Sequence, residues 1–138
     1  MKKLARFLCF VLTAVLLCAT LASCSGGSFA TADEAVAALK DAGYTLTVEN
    51  AEHELKAYAQ LGVAGATCVI AAREVEGDEI VYLCYFADEA AATAALQAVK
   101  TLAADAKAEL AEGLEWVEPA VSGAMIYFGS AGAVSDVD

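Results

Sequence analysis

Ile80-Val81-Tyr82-Leu83-Cys84-Tyr85-Phe86 is apolar at every position. A strand with one wet face alternates apolar and polar residues, so this run implies a strand covered on both faces, inside a sheet. A second β-rich run, Thr67 to Val75, precedes it, and Glu76, Gly77 and Asp78 lie between the two. Polar residues around a glycine are what a reversing chain needs, so Thr67 to Val75 and Glu79 to Ala87 form a hairpin. The rest of the chain has to supply two layers of cover for the second strand.

The flanking segments carry clear start and stop signals. Thr31 followed by Glu34 makes a capping-box pattern and Gly43 a left-handed stop, which bounds a helix from about Ala32 to Ala42 that buries Val36 and Leu39. Tyr44, Leu46 and Val48 alternate with polar residues, the period of a half-buried strand over Tyr44 to Glu49. Asn50 is placed to cap a second helix, Ala51 to Leu61, with Gly62 beyond it. Asp88 caps the longest helix, which runs to about Ala111 with Leu96, Val99, Ala103, Ala106 and Leu110 as its core stripe. Glu115 to Val121 and Ala124 to Phe128 flank Ser122-Gly123 as a last hairpin, and Pro119 puts the first of them at an edge or bulge.

In order, the elements are αβαββα followed by ββ. The expected fold class is α+β, an antiparallel sheet with helices on one face. Without the first helix and last strand, the order βαββαβ resembles the ferredoxin-like split βαβ unit, which here carries an extra N-terminal helix and a C-terminal hairpin. If Ile80, Tyr82, Cys84 and Phe86 meet the helices, then Val81, Leu83 and Tyr85 point away from them. Those three residues need the first helix, the C-terminal segment, a second protomer or a ligand as cover, and they are the candidate interaction face.

The N-terminal segment has a different character. Lys2, Lys3 and Arg6 head a sixteen-residue, largely apolar stretch, Phe7 to Ala22, that runs into Leu21-Ala22-Ser23-Cys24. The stretch falls short of the ~20 residues that span a bilayer, and no basic cluster follows it. This segment resembles the signal peptide of a bacterial lipoprotein, with Leu-Ala-Ser-Cys as the lipobox. The resemblance implies removal of residues 1–23 and a diacylglyceryl group on Cys24. It also implies a lipid-anchored protein on the outer face of the cell membrane, or on the outer membrane of an organism that has one. Residues 24–30 would then be a lipidated cysteine and short tether, and 31–138 a single domain.

After Cys24, nineteen carboxylates stand against five cations, Lys40, Lys56, Arg73, Lys100 and Lys107, a net charge of −14. Such a domain repels nucleic acid and anionic headgroups, so nucleic acid is not an expected partner; the expected partners are the membrane through Cys24 and a protein or second copy through the sheet face.

Candidate chemistry is sparse, and no enzymatic activity or cofactor is expected. His53, the lone histidine, lies between Glu52 and Glu54 and reads as a solvated helix residue. Glu74, Glu76, Asp78 and Glu79 surround the hairpin turn without the spacing of a calcium loop, so no metal site is expected. An enzymatic reading would need Glu74 or Glu115 to converge with other groups in a cleft. Gly129-Ser130-Ala131-Gly132 reads as a turn with a cap and Trp116 as a core residue. Tyr82, Tyr85 and Tyr127 are strand residues whose alternative role is to stack a sugar or peptide on the sheet, and a small-ligand carrier would place its pocket between the sheet and the long helix.

Cys68 and Cys84 bridge only if they share a face. A two-residue turn at Glu76-Gly77 puts them on opposite faces and a three-residue turn puts them on one. Taken together, the signal segment, Ala42-Gly43-Tyr44, the apolar strand ending in Tyr85-Phe86 and the late Ile126-Tyr127-Phe128-Gly129-Ser130 look like small lipoproteins of unassigned function from anaerobic bacteria.

Overall fold

The computed structural model describes residues 29–135. Ile80–Phe86 (β3) is the middle strand of a five-stranded antiparallel sheet ordered β1-β2-β3-β5-β4. The other strands are Tyr44–Glu49 (β1), Ala66–Glu74 (β2), Trp116–Ser122 (β4) and Met125–Ser130 (β5). The helices are Ala32–Asp41 (α1), Glu52–Gln60 (α2), Glu89–Ala108 (α3) and Ala131–Ser135 (α4). The α+β class and the interior position of Ile80 to Phe86 stand as the apolar run requires.

Helices cover both faces of the sheet rather than one. Val81, Leu83 and Tyr85 pack with Ile70 and Ala72 against Ala35, Ala38 and Leu39 of α1 and Ala133 and Val134 of α4. On the other face, Cys84, Phe86, Ile126 and Phe128 meet Ala92, Ala95, Val99 and Ala103 of α3, with Leu55 and Tyr58 of α2 at one side. The reason is the composition of β3: a strand without a polar face is stable only between two layers. On α3 the closest approach is made by Ala92, Ala95 and Ala103, while Leu96 and Leu102 sit at the flanks. A smooth alanine surface lets the helix come down onto Phe86 and Phe128.

One split βαβ unit is present, made by β3, α3 and β4 with β5 between them. The ferredoxin-like interleaving would need a second such unit from β1, α2 and β2. Here β1 and β2 are direct antiparallel neighbours, Tyr44 opposite Glu74 and Glu49 opposite Val69. The order of elements does not determine which strand fills the place beside β2.

Most local signals are met, but α3 ends at Ala108, short of the expected Ala111, and of its expected core stripe Val99 and Ala103 are buried, Leu96 and Ala106 half-buried, and Leu110 lies beyond the helix. Thr31 Oγ1 accepts from Glu34 N at 3.3 Å and Glu34 Oε2 accepts from Thr31 N at 3.4 Å, which completes the capping box of α1. Asp88 Oδ1 accepts from Ala91 N at 2.8 Å at the start of α3. Pro119 lies on edge strand β4 within the bulge between Val117 and Ala120. Asn50, by contrast, does not cap α2; Glu54 Oε2 takes the Ala51 N–H at 3.0 Å instead. Phe29, expected in the tether, is buried with α1 and β3, and its carbonyl accepts from Tyr85 Oη at 3.0 Å.

Gly129 explains how closely β5 approaches β3. Its φ is +151°, and a Cβ there would stand 2.3 Å from the Ile80 carbonyl oxygen and 2.8 Å from Val81 Cα, both backbone atoms that cannot yield.

Leu83 has no exposed surface. Leu83→Ala is expected to destabilise the domain by about 2–5 kcal/mol in urea denaturation, the range for deleting a buried leucine. Leu83→Glu, which buries an unpaired charge, is expected to abolish the cooperative thermal transition altogether.

Candidate functional site

The candidate interaction face is closed. Val81 and Leu83 are fully buried and Tyr85 nearly so, under α1, α4 and Phe29. Of the covers that the sequence allows, the structure uses the first helix and the C-terminal segment together. Between the sheet and α3 the described residues pack as an alanine face against Phe86, Ile126 and Phe128.

An opening lies on the α2–α3 side, over the end of the sheet next to the β2–β3 turn. It has a volume of about 480 Å³ and is lined by Thr45 and Thr47 of β1, Ala71, Ala72, Arg73 and Glu74 of β2, Val75 of the turn that follows, and Ile80 and Tyr82 of β3. Register places six of these residues in two rows across the strands. Thr47, Ala71 and Tyr82 form one, and Thr45, Arg73 and Ile80 the other. The trough is open because the two helices of this layer lie elsewhere. α3 packs chiefly over β4 and β5, and α2 is held toward the far end of β1, where Tyr58 Oη donates to Glu49 Oε2. Burial, and after it that hydrogen bond, raises the Tyr58 pKa.

Arg73 is the one cation in the lining, and no carboxylate among the described residues is in ion-pair distance of it. Its guanidinium therefore keeps its five donors for something else. The threonine hydroxyls on β1 add two short, adaptable hydrogen-bonding groups. Glu74 is the one carboxylate in the lining, and no second carboxylate or histidine lines the trough with it; the lining is suited to holding a ligand in place.

The other sequence candidates have structural work or face solvent. Glu74 is buried and contributes to the trough lining, while Glu79 Oε2 accepts from Ser130 Oγ at 3.1 Å, so of the four hairpin carboxylates one lines the trough. Among the described residues, no group of three or more His, Cys, Asp and Glu side chains could hold a metal ion. Ser130 is fully buried, and its Oγ accepts from Ile80 N at 3.0 Å, so the Gly129 to Gly132 segment pins β3 to β5 and presents no anion nest. His53 is exposed on α2. Trp116 leans on Phe128, ring centroids 6.0 Å apart. Glu115 is exposed and distant in sequence and face from the trough residues. Cys24 lies outside the described residues.

The β2–β3 register answers the cysteine question. Cys68 stands opposite Tyr85 and Val69 opposite Cys84, so the two thiols point to opposite faces and are free. This is the parity of the two-residue turn, although the loop that delivers it runs over four residues, with Glu74 N donating to Glu79 O at 2.9 Å before the chain reverses. Burial raises both thiol pKa values, that of Cys84 to about 12.

No known protein-family model, curated protein or solved structure matches the chain. Among the described residues, no helix is long and apolar enough to cross a membrane.

The thiols supply a pH prediction. A group whose folded pKa is raised stabilises the fold fully below its unfolded pKa and loses that contribution as pH rises through the folded value. For Cys84 the window runs from the ordinary thiol value of 9.0 to about 12, and Tyr58 and Tyr85, also raised by burial, act with the same sign. The melting temperature is expected to fall as pH is raised through this window, and Cys84→Ala to flatten part of that fall. Iodoacetamide at pH 8 should label neither Cys68 nor Cys84 in the native domain and both in urea, as read by mass spectrometry.

Proposed function

We propose that this protein is a lipid-anchored, non-catalytic binding module of the bacterial cell envelope, whose binding surface is the trough over Thr45, Thr47, Ala71, Arg73 and Tyr82. The carrying observation is the trough itself: its lining holds a guanidinium with no ion pair among the described residues, two hydroxyl-bearing strand residues, an aromatic ring and a single carboxylate, Glu74. These groups recognise a ligand without offering a proton-transfer pair.

The lipobox resemblance supports the anchor. Cys24 is the lipidated residue in this reading, and two acyl chains on it give stable attachment where a single chain is marginal. Because Phe29 is already part of the core, the free tether shortens to Ser25 to Ser28. Fully extended it reaches no further than about 14 Å. A strongly acidic domain is thereby kept at a surface that its charge would not seek.

The same trough also suits a carrier of small envelope molecules, with its site over the sheet instead of between sheet and α3. Anchoring and binding are separately testable. Expressed as the full chain in a bacterial host, the protein is expected to partition with membranes and to carry a diacylglyceryl mass on an N-terminal Cys24, and Cys24→Ser to abolish both. A water-soluble mature terminus, or one beginning elsewhere, would overturn the anchor. Low-molecular-mass envelope extract is expected to raise the melting temperature of the full chain in detergent, since a ligand that binds only the folded state stabilises it. No shift with any extract fraction would remove the binding role.

A further inference from the structure

An aromatic ladder crosses the sheet and stops short. Trp116 on β4 leans on Phe128 on β5, and Phe128 stacks on Tyr82 on β3 with centroids 5.0 Å apart and planes 15° from parallel. That spacing is close to the distance between neighbouring strands, so the rings stand side by side with their faces turned along the row. The next place in the row belongs to Ala71, and the one after it to Thr47. Alanine has no ring to offer, and the trough lies over it. The face of Tyr82 turned away from Phe128 therefore looks into open space. No cation stands over that face among the described residues, although Arg73 is two residues along β2 on the same side.

The gap has the dimensions of one more ring. Tyr82 and Thr47 are two strands apart, roughly 9 to 10 Å. With the thickness of the tyrosine ring and of the threonine side chain removed, a single ring fits between them above the Ala71 methyl group. Arg73, Thr45 and Thr47 stand around its rim with free hydrogen-bonding groups.

We infer that the trough binds a pyranose ring stacked on the free face of Tyr82, its hydroxyl groups held by Arg73, Thr45 and Thr47. This rests on the reading of the trough as the binding surface and names the ligand class. Three features select a sugar over other rings. The face of an aromatic ring is negative, and the C–H face of a pyranose is its positive counterpart. The rim is polar around an otherwise small floor, which suits a ring whose edge is lined with hydroxyl groups; a purely apolar ring would make no use of the rim's donors. The domain has a net charge of −14 after Cys24, so a neutral ligand enters without the repulsion that an aromatic carboxylate would meet.

The test uses the full chain in a sugar-free zwitterionic detergent and a panel of neutral methyl pyranosides and their short oligomers, read by saturation-transfer NMR and titration. At least one pyranoside is expected to bind with its C–H face closest to an aromatic ring. Ala71→Phe completes the ladder and occupies the slot. It is expected to keep or raise the melting temperature while weakening pyranoside binding at least tenfold. Arg73→Ala, an exposed position, should weaken it several-fold without altering the melting temperature. Absence of binding to every pyranoside, or equal binding by Ala71→Phe, would overturn the assignment. Preferential binding of benzoate over every pyranoside would overturn it as well. If envelope extract still raises the melting temperature while the pyranosides fail, the sugar is wrong and the binding module stands; if both fail, both readings fall.

Discussion

The burial of β3 on both faces is the constraint from which the rest of the architecture follows. Leu83 faces α1 and Cys84 faces α3, and along the strand only Tyr82, beside the trough, is half-exposed. Such a strand also needs close neighbours on both edges. On one side β2 supplies an unbroken ladder from Cys68 to Arg73. On the other, β5 closes in only because Gly129 has no side chain to strike the Ile80 carbonyl, and the next residue, Ser130, secures the start of β3 through its hydroxyl. A single methyl group at position 129 would therefore act on the middle of the sheet, although the residue lies near the end of the chain.

Two helical layers on a five-stranded sheet need not cover it evenly. α3 is long, but its alanines fit it to the side of the sheet where Phe86, Ile126 and Phe128 protrude. α2 is only nine residues long and is tied to the Glu49 end of β1 by Tyr58. The corner containing Thr45, Thr47 and Arg73 is left uncovered, and these three exposed residues are ones that tolerate water. An uncovered corner made of leucine and valine would be an aggregation hazard beside edge strand β1; threonine and arginine make it compatible with a soluble surface.

How much of this was legible depended on the range of the interaction. The capping box of Thr31 and Glu34, the Asp88 cap and the apolar run of β3 are statements about neighbours in sequence, and they read directly. The cover over Val81, Leu83 and Tyr85 could be narrowed to a few choices, because an apolar face must be buried but its pattern does not name the burying element. The strand order was less accessible. A helix between two strands is compatible with their being neighbours, as β1 and β2 are, or with a third strand between them, as for β3 and β4. The free thiols depended on a register that a four-residue loop delivers with the parity of a shorter one. The gap above Ala71 was hidden for a related reason. It exists only once three registers place Thr47, Ala71, Tyr82 and Phe128 in one row, and no stretch of sequence displays that row.

The position of the trough relative to the chain's entry point bears on how an anchored domain would work. Phe29 joins the core on the α1 face and meets Tyr85, near the end of β3. The trough is on the opposite face and beside Ile80, near its beginning. Five residues of strand separate the two along the sheet, on the order of 17 Å, and the thickness of the sheet separates them across it. A domain held through Cys24 by so short a tether would thus hang from one face and one end, with its trough directed to the other. A surface meant to grip the anchoring bilayer would be placed beside the point of entry. For a domain anchored through Cys24, a trough placed diagonally across the sheet and ringed by hydroxyl groups and a guanidinium would be better disposed toward what lies beyond the membrane than toward the membrane itself.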